Sequence, residues 1–248
     1  MNERDAGVVA PDVLELLRAH PFYASYKQRT FELLDVHAHG RYLDVGAGTG
    51  SDAHEHAVGS GSTWWLVDRS IAMARRARAV TADVRALPFA SETFDGCRAD
   101  RVLQYLPDAA AAIAEMARVT LRGGRVVVAD PDYDTQVVEV DDQDLARRIR
   151  RFRRDQARGN GAFAHRALGA FRRAGLVDVA VEARTLLVRD PTDVDNVMGL
   201  ADWAHFAADA GTIAPDEPAR WRNQLAAAAR DDRFLYAVTF FLTAGRRP

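Results

Sequence analysis

Residues 41–50, RYLDVGAGTG, place the strongest constraint on the fold. A short β-like run closes on Asp44 and then meets three glycines in five residues, Gly46, Gly48 and Gly50, before a helical pattern begins. A strand that enters a helix through such a turn sets backbone amides beside a helix N-terminus. Glycine permits positive φ there and lets a ligand approach the backbone closely. The surrounding sequence alternates in the same way. Strands are expected at RYLDV (41–45), TWWLV (63–67), RAVTA (78–82), FDGCRA (94–99) and GRVVVAD (124–130), with helices near 51–58, 70–77 and 108–120. Gly123 and Gly124 read as a helix stop feeding the fifth strand. With VDVAVEA (177–183) and FLYAVTFFLTA (234–244), the pattern predicts a Rossmann-like α/β fold: a seven-stranded, mostly parallel sheet with helices on both faces.

At 248 residues the chain is long enough for one large domain with insertions. The expected core covers 39–135 and 163–248, and helical lid elements are expected at 10–38, 141–160 and 191–230. A net charge of −2 offers no electrostatic case for a nucleic-acid partner, whose binding rests on clustered cations. Lys27 is the only lysine, and the arginine-rich, alanine-rich composition reads as the coding bias of a GC-rich genome. Cys97 is alone, so no intrachain disulfide forms. The N-terminal MNERDAGVV lacks the apolar stretch of a secretion signal, and no apolar run approaches the roughly 18 residues of a membrane helix. A soluble cytoplasmic protein without a membrane partner is expected, as a monomer or homodimer.

The glycine spacing narrows the ligand. In a dinucleotide-binding turn the third small residue would fall at position 51, but Gly50 comes one residue early and Ser51 follows; no phosphate-loop pattern is present either. Asp68 closes the second strand in WWLVDRS, where a carboxylate can accept from both hydroxyls of a ribose. Asp83 follows the third strand in TADVRALPF, where its side chain and the Val84 amide can read an adenine edge. Either acid alone also fits a helix N-cap.

Taken in order, LDVGAGTG, LVDRS, ADVRALPF, FDGCRADRVLQYLPD and EMARVTLRGGRVVVADPD resemble the motifs of class I S-adenosylmethionine-dependent methyltransferases. The resemblance is greatest to the branch with the ubiquinone/menaquinone C-methyltransferases and many bacterial natural-product methyltransferases. It implies S-adenosyl-L-methionine as cofactor. Gly46, Ala47 and Gly48, with Asp44 and Gly50, would face its methionine part; Asp68 and Arg69 its ribose; Asp83 and Val84 its adenine; and Arg98 or nearby residues after the fourth strand would line the sulfonium side. Two departures stand out. Asp68 and Asp83 are only 15 positions apart, which shortens the helix between them, and Tyr105 stands where the family often has histidine.

Methyl transfer from an activated sulfonium needs placement of a nucleophile, exclusion of water and, for a hydroxyl or acidic carbon, a base. The catalytic candidates are His165, which opens a helix after a glycine-rich loop, and Tyr133 and Asp132 beyond the fifth strand; His20 and His205 are weaker. No metal is expected. Aromatic residues gather in the lid pieces, Phe22, Tyr23 and Tyr26 before the sheet and Trp203, Phe206 and Trp221 after it; they read as packing or as the wall of an apolar pocket. RRIRRFRR (147–154) reads as the solvated face of a helix that buries Leu145, Ile149 and Phe152. The expected activity is methylation of an oxygen or carbon on a small aromatic or polyketide-like secondary metabolite. The alternative is a methyltransferase-like cyclase or isomerase, such as a pericyclase, that binds the cofactor and transfers no methyl.

Overall fold

The computed structural model describes residues 11–157, 159–193 and 199–248. Seven strands form one sheet: β1 (Arg41–Val45), β2 (Thr63–Asp68), β3 (Val80–Thr81), β4 (Phe94–Asp100), β5 (Thr120–Val138), β6 (Val177–Val188) and β7 (Tyr236–Arg246). Their order is β3-β2-β1-β4-β5-β7-β6. The first five are parallel, and β7 runs antiparallel to both β5 and β6. The chain reverses direction across the sheet between β1 and β4, so the carboxyl ends of β1, β2 and β4 border one crevice.

The helices are α1 (Pro11–Ala19), α2 (Pro21–Leu34), α3 (Ser51–Ser60), α4 (Ile71–Ala77), α5 (Ala109–Val119), α6 (Gln143–Phe152), α7 (Ala167–Arg173), α8 (Trp203–Asp209) and α9 (Glu217–Arg230). None among the described residues is long and apolar enough to cross a membrane. One core joins α5 and α7, through Ile113, Met116 and Phe171, to Leu43, Val45, Cys97, Val126 and Val128 of the sheet. A second core joins Tyr23 and Tyr26 of α2, Leu145, Ile149 and Phe152 of α6, Trp203 of α8 and Trp221 of α9 to Tyr236, Phe240 and Leu242 of β7. Each large apolar side chain buried this way contributes roughly 1.5–3 kcal/mol. Residue 10, residue 158 and residues 194–198 of the expected lid ranges lie outside the described residues.

Several expected boundaries move. The third strand shrinks from 78–82 to two residues because Arg78, at φ 55°, ends α4 in a left-handed cap. The fifth begins at Thr120, whose hydroxyl bonds the Met116 carbonyl at 2.7 Å, so Gly123 and Gly124 lie inside the strand and do not terminate the helix. It also runs on to Val138, because the antiparallel partner β7 carries the ladder past Pro131. The strand expected at 177–183 extends to Val188 on the same partner. The last strand starts at Tyr236 and reaches Arg246, where the expectation was 234–244.

Helix α6 buries Leu145, Ile149 and Phe152, and its arginines divide in role. Arg147 and Arg151 are exposed beside Asp144 and Asp155. Arg153 turns inward, its guanidinium carbon 3.8 Å from the Trp203 ring centroid. Arg148 reaches α9 and donates two bonds to Glu217, at 2.7 and 2.6 Å, and Glu217 also accepts from the Ala214 amide and from Arg220. Arg148 first, then that amide, hold the Glu217 carboxyl down at about 2. A depressed acid stabilises the fold above its ordinary range near 4.5 and loses that contribution as the pH falls toward 2. Glu217→Gln is expected to cost about 1–2 kcal/mol at pH 7 in urea unfolding, and less at pH 3. An equal loss at both values would contradict this role.

Candidate functional site

Gly46, Gly48 and Gly50 all adopt left-handed φ, at 68°, 57° and 74°. A Cβ on Gly46 would lie 2.3 Å from Val102 Cγ2, and one on Gly48 would lie 3.2 Å from Leu14 Cδ1. Gly50 has a different task. It precedes α3 and packs against Leu66 and Ala77, where a Cβ would meet Leu66 Cδ1 at 2.8 Å, and it does not line the crevice.

Asp68 at the end of β2 ties two turns together. Its Oδ2 accepts from the Gly48 amide at 2.9 Å and its Oδ1 from the Ser70 amide at 2.8 Å. Ser70, not Asp68, caps α4 through its hydroxyl. Each oxygen of a carboxylate has two acceptor sites, so Asp68 keeps capacity for two further donors. Asp83 is committed elsewhere: Arg85 grips both of its oxygens, the closest at 2.6 Å, and the Arg85 amide donates to it at 2.8 Å. That contact lowers the Asp83 carboxyl. To meet an adenine amino group, Asp83 has to share or release Arg85, whose side chain is half-exposed.

One pocket brings together Asp44, Gly46, Ala47, Gly48, Asp68, Arg69, Asp83, Val84 and Arg98. Their convergence follows from topology, since each stands at or just past the carboxyl end of β1, β2, β3 or β4. Arg98 lines this pocket, with its guanidinium held by the protein itself. Only 1% exposed, it donates to Asp44 at 3.0 and 3.1 Å and to the Thr30 hydroxyl at 2.7 Å, and lies 3.5 Å from Asp100. Burial pushes the Asp44 carboxyl up to about 6, with Arg98 offsetting part of that effect.

The pocket also holds residues that sequence reasoning did not name individually or missed. Asp100 and Arg101 stand just where β4 ends, the position by which Asp44 and Asp68 were found, so the same rule applied to β4 locates them. Lys27 of α2 and Asp52 of α3 have no such signal. They meet across the fold as an ion pair, with Lys27 also 3.8 Å from Asp100, whose other oxygen accepts from the Tyr26 hydroxyl at 2.9 Å. Helix α1 lies over the glycine turn. Glu15 accepts from Thr49 at 3.2 Å and Ser51 at 2.9 Å, Arg18 pairs with Glu55, and Leu14 and Arg18 line the pocket. Of the two readings of the lid aromatics, packing holds for most: Tyr23, Tyr26, Trp203 and Trp221 are at most 1% exposed, Phe22 packs on Phe240, and Phe206 faces solvent.

The three catalytic candidates lie outside the residues lining that pocket. Asp132 is fully buried, and its Oδ2 accepts from the His165 amide at 2.9 Å and lies 2.6 Å from His165 Nδ1. His165 itself is half-exposed. Tyr133 is buried beneath the Arg153 guanidinium and borders a groove lined by the arginines of α6. Asp134 joins Asp132 and His165 in a trio whose possible metal-ligand atoms lie within 4.8 Å of one another, although Arg154 pairs with the Asp134 carboxylate. The loop bearing His165 is tied to the pocket rim, since the Asn160 amide donates to Gln104 O and its side chain to Leu106 O, both at 3.0 Å. His20 caps α2 by accepting from the Phe22 amide.

A family model described as a methyltransferase domain matches residues 43–128, the stretch that carries the glycine turn and both strand-end acids. Over 234 residues the chain is 30% identical to an uncharacterized 37.1 kDa protein carried on a transposon of Streptomyces fradiae, covering 90% of this chain and 67% of that one. Over 118 residues it is 36% identical to the demethylmenaquinone methyltransferase of Corynebacterium urealyticum, covering 46% of this chain and half the length of that relative. Phosphoethanolamine N-methyltransferase 2 of Haemonchus contortus, solved with phosphomonomethylethanolamine and S-adenosylhomocysteine, shares the fold at a TM-score of 0.61 and 15% identity, covering 98% of this chain and 57% of that one.

Two outcomes test this geometry. Asp68→Ala is expected to weaken S-adenosylhomocysteine binding by calorimetry 10- to 100-fold, the loss of two charge-assisted hydrogen bonds. Arg98→Met strands the buried Asp44 and should cost about 3–5 kcal/mol in urea unfolding. Because burial raises Asp44, the folded state keeps its proton longer than the unfolded chain, so its contribution to stability falls as pH rises from about 4 to about 6. The Arg98→Met loss should therefore be greater at pH 7 than at pH 4, and a pH-independent loss would refute the assignment.

Proposed function

The chain belongs to the class I S-adenosylmethionine-dependent methyltransferases, and on that premise we propose that it methylates an oxygen or carbon of a small secondary metabolite. The observation that carries this reading is one pocket in which the left-handed glycine turn and Asp68 from β1 and β2 meet Asp100, Arg101 and Tyr105 from the end of β4. The donor set fits the cofactor of the family. The spare acceptor sites of Asp68 suit vicinal hydroxyls, Val84 and Met73 offer apolar contact to a flat base, and the glycine turn leaves its backbone open to close approach. The cofactor supplies an activated methyl group when bound.

The chain's own residues then orient the acceptor and hold its proton. His165, fixed by the buried carboxylate of Asp132 on a loop tied to the pocket rim, is the proton acceptor, the Asp132 contact at Nδ1 leaving Nε2 to take the proton. Tyr133, next in the chain to Asp132, lies beneath the Arg153 guanidinium. Helix α1 closes the cofactor end against water through Glu15 and Arg18. The likeness to a relative named for demethylmenaquinone supports a small ring compound as acceptor.

Product mass tests the reading. Incubation with S-adenosylmethionine and a panel of phenolic and polyketide extracts should give products heavier by one methylene, together with S-adenosylhomocysteine. Isomers of unchanged mass would instead establish a cyclase or isomerase. His165→Asn should lower kcat by roughly 10²–10⁴ while S-adenosylhomocysteine affinity stays within twofold. A kcat within threefold of the parent would remove His165 from the mechanism.

A further inference from the structure

Arg101 is the first residue after β4 and adopts φ 56°, a conformation that arginine rarely takes. Its amide donates to Ala129 O on β5 at 2.7 Å, and Val102 beside it packs into the space left by the missing Cβ of Gly46. The strained turn is thus held from both sides, and it delivers the guanidinium into the pocket wall, 5.4 Å from the Tyr23 ring centroid. Backbone strain maintained in this way marks a side chain that has to be presented at one place.

That guanidinium feels Asp100 beside it in the chain but forms no ion pair among the described residues. Among the other cations lining the pocket, Arg18, Lys27 and Arg98 pair with Glu55, Asp52 and Asp44, whereas no carboxylate lies within ion-pairing distance of Arg101 among the described residues. Its Nε is buried without a hydrogen-bond partner. The nearby acids are already engaged. Asp100 serves Tyr26, Lys27 and Arg98. Asp130 accepts from the Leu103 and Gln104 amides, and burial pushes its carboxyl well up, toward the uncharged form. A guanidinium held partly out of water, with its Nε buried and no carboxylate paired to it, is costly unless a ligand supplies the missing charge.

We propose that Arg101 binds a negatively charged oxygen of the methyl acceptor, so that the enzyme selects acceptors bearing a carboxylate or an equally acidic oxygen. This rests on the methyltransferase reading of the pocket. Arg101 lies over the Tyr23 ring of α2, and its amide is tied to the end of β5; Asp68, on β2, is the acid placed for the cofactor's ribose, so Arg101 is given to the acceptor. A cofactor with a sulfonium, an ammonium and a single carboxylate adds net positive charge to the site, and an anionic acceptor neutralises it.

The test is calorimetric binding of 2-naphthoate and its neutral counterpart 2-naphthamide to the full chain saturated with S-adenosylhomocysteine. The parent protein should bind the carboxylate at least tenfold more tightly than the amide. Arg101→Gln should abolish that preference, Arg101→Lys should retain part of it, and Arg101→Gly, which accepts the left-handed backbone, should lose it while keeping the parent melting temperature. The absence of a carboxylate preference in the parent, or its survival in Arg101→Gln, overturns the proposal. So does a tenfold loss of S-adenosylhomocysteine affinity in Arg101→Gln with 5′-methylthioadenosine binding retained, since that places Arg101 on the cofactor's own carboxylate. Failure of the parent to bind S-adenosylhomocysteine would overturn the cofactor reading as well, and is distinct from each of these.

Discussion

A guanidinium with 1% of its surface exposed sits between β1 and β4, and much of the site is built around it. Arg98 holds Asp44 on the neighbouring strand, reaches Thr30 on α2 and lies beside Asp100 on its own strand. Removing an ion pair of this kind from water costs several kcal/mol per charge, and only close geometry with every oxygen engaged recovers it. The pair therefore fixes α2 over the crevice and sets where Lys27, Asp52 and Tyr26 converge. The glycine turn follows Asp44 by two residues, so its position depends on the same contact.

The other half of the molecule depends on the antiparallel strand. Because β7 pairs with both β5 and β6, those strands extend beyond the parallel part of the sheet and carry a second core of tyrosine, tryptophan and leucine under α6, α8 and α9. The β5–β7 register shifts between Asp132 and Val137, which releases the intervening residues from the ladder. Irregularities of this kind re-aim side chains. Here the release lets Asp132 meet His165, Asp134 meet Arg154, and Tyr133 lie under Arg153.

The two halves meet at the end of β4. Val102 fills the gap beside Gly46, Arg101 stacks on Tyr23 from the second core, and the backbone of 103–106 receives both Asp130 and Asn160. A short segment thus touches the cofactor end, the buried aromatic cluster and the loop of His165. Changes there are felt in both cores because packed interiors transmit small displacements.

Much of this was legible in order along the chain. Strand-to-helix alternation, the glycine turn, and the acids Asp44, Asp68 and Asp83 at strand ends are local patterns: period, φ requirement and position in the element are written in neighbouring residues. They located the parallel sheet and the ligand end of it, and placed Leu145, Ile149 and Phe152 on the buried face of α6. Tertiary structure alone decided which charges answer each other. Arg98 pairs with Asp44 across 54 positions, Lys27 with Asp52 from another helix, Asp83 is taken by Arg85, and the aromatic residues of the helical segments pack as core. It also decided that, among the described residues, Arg101 has no carboxylate within ion-pairing distance. Electrostatic partners are chosen by distance and burial in the folded state, and neither is encoded in the spacing of residues along the chain.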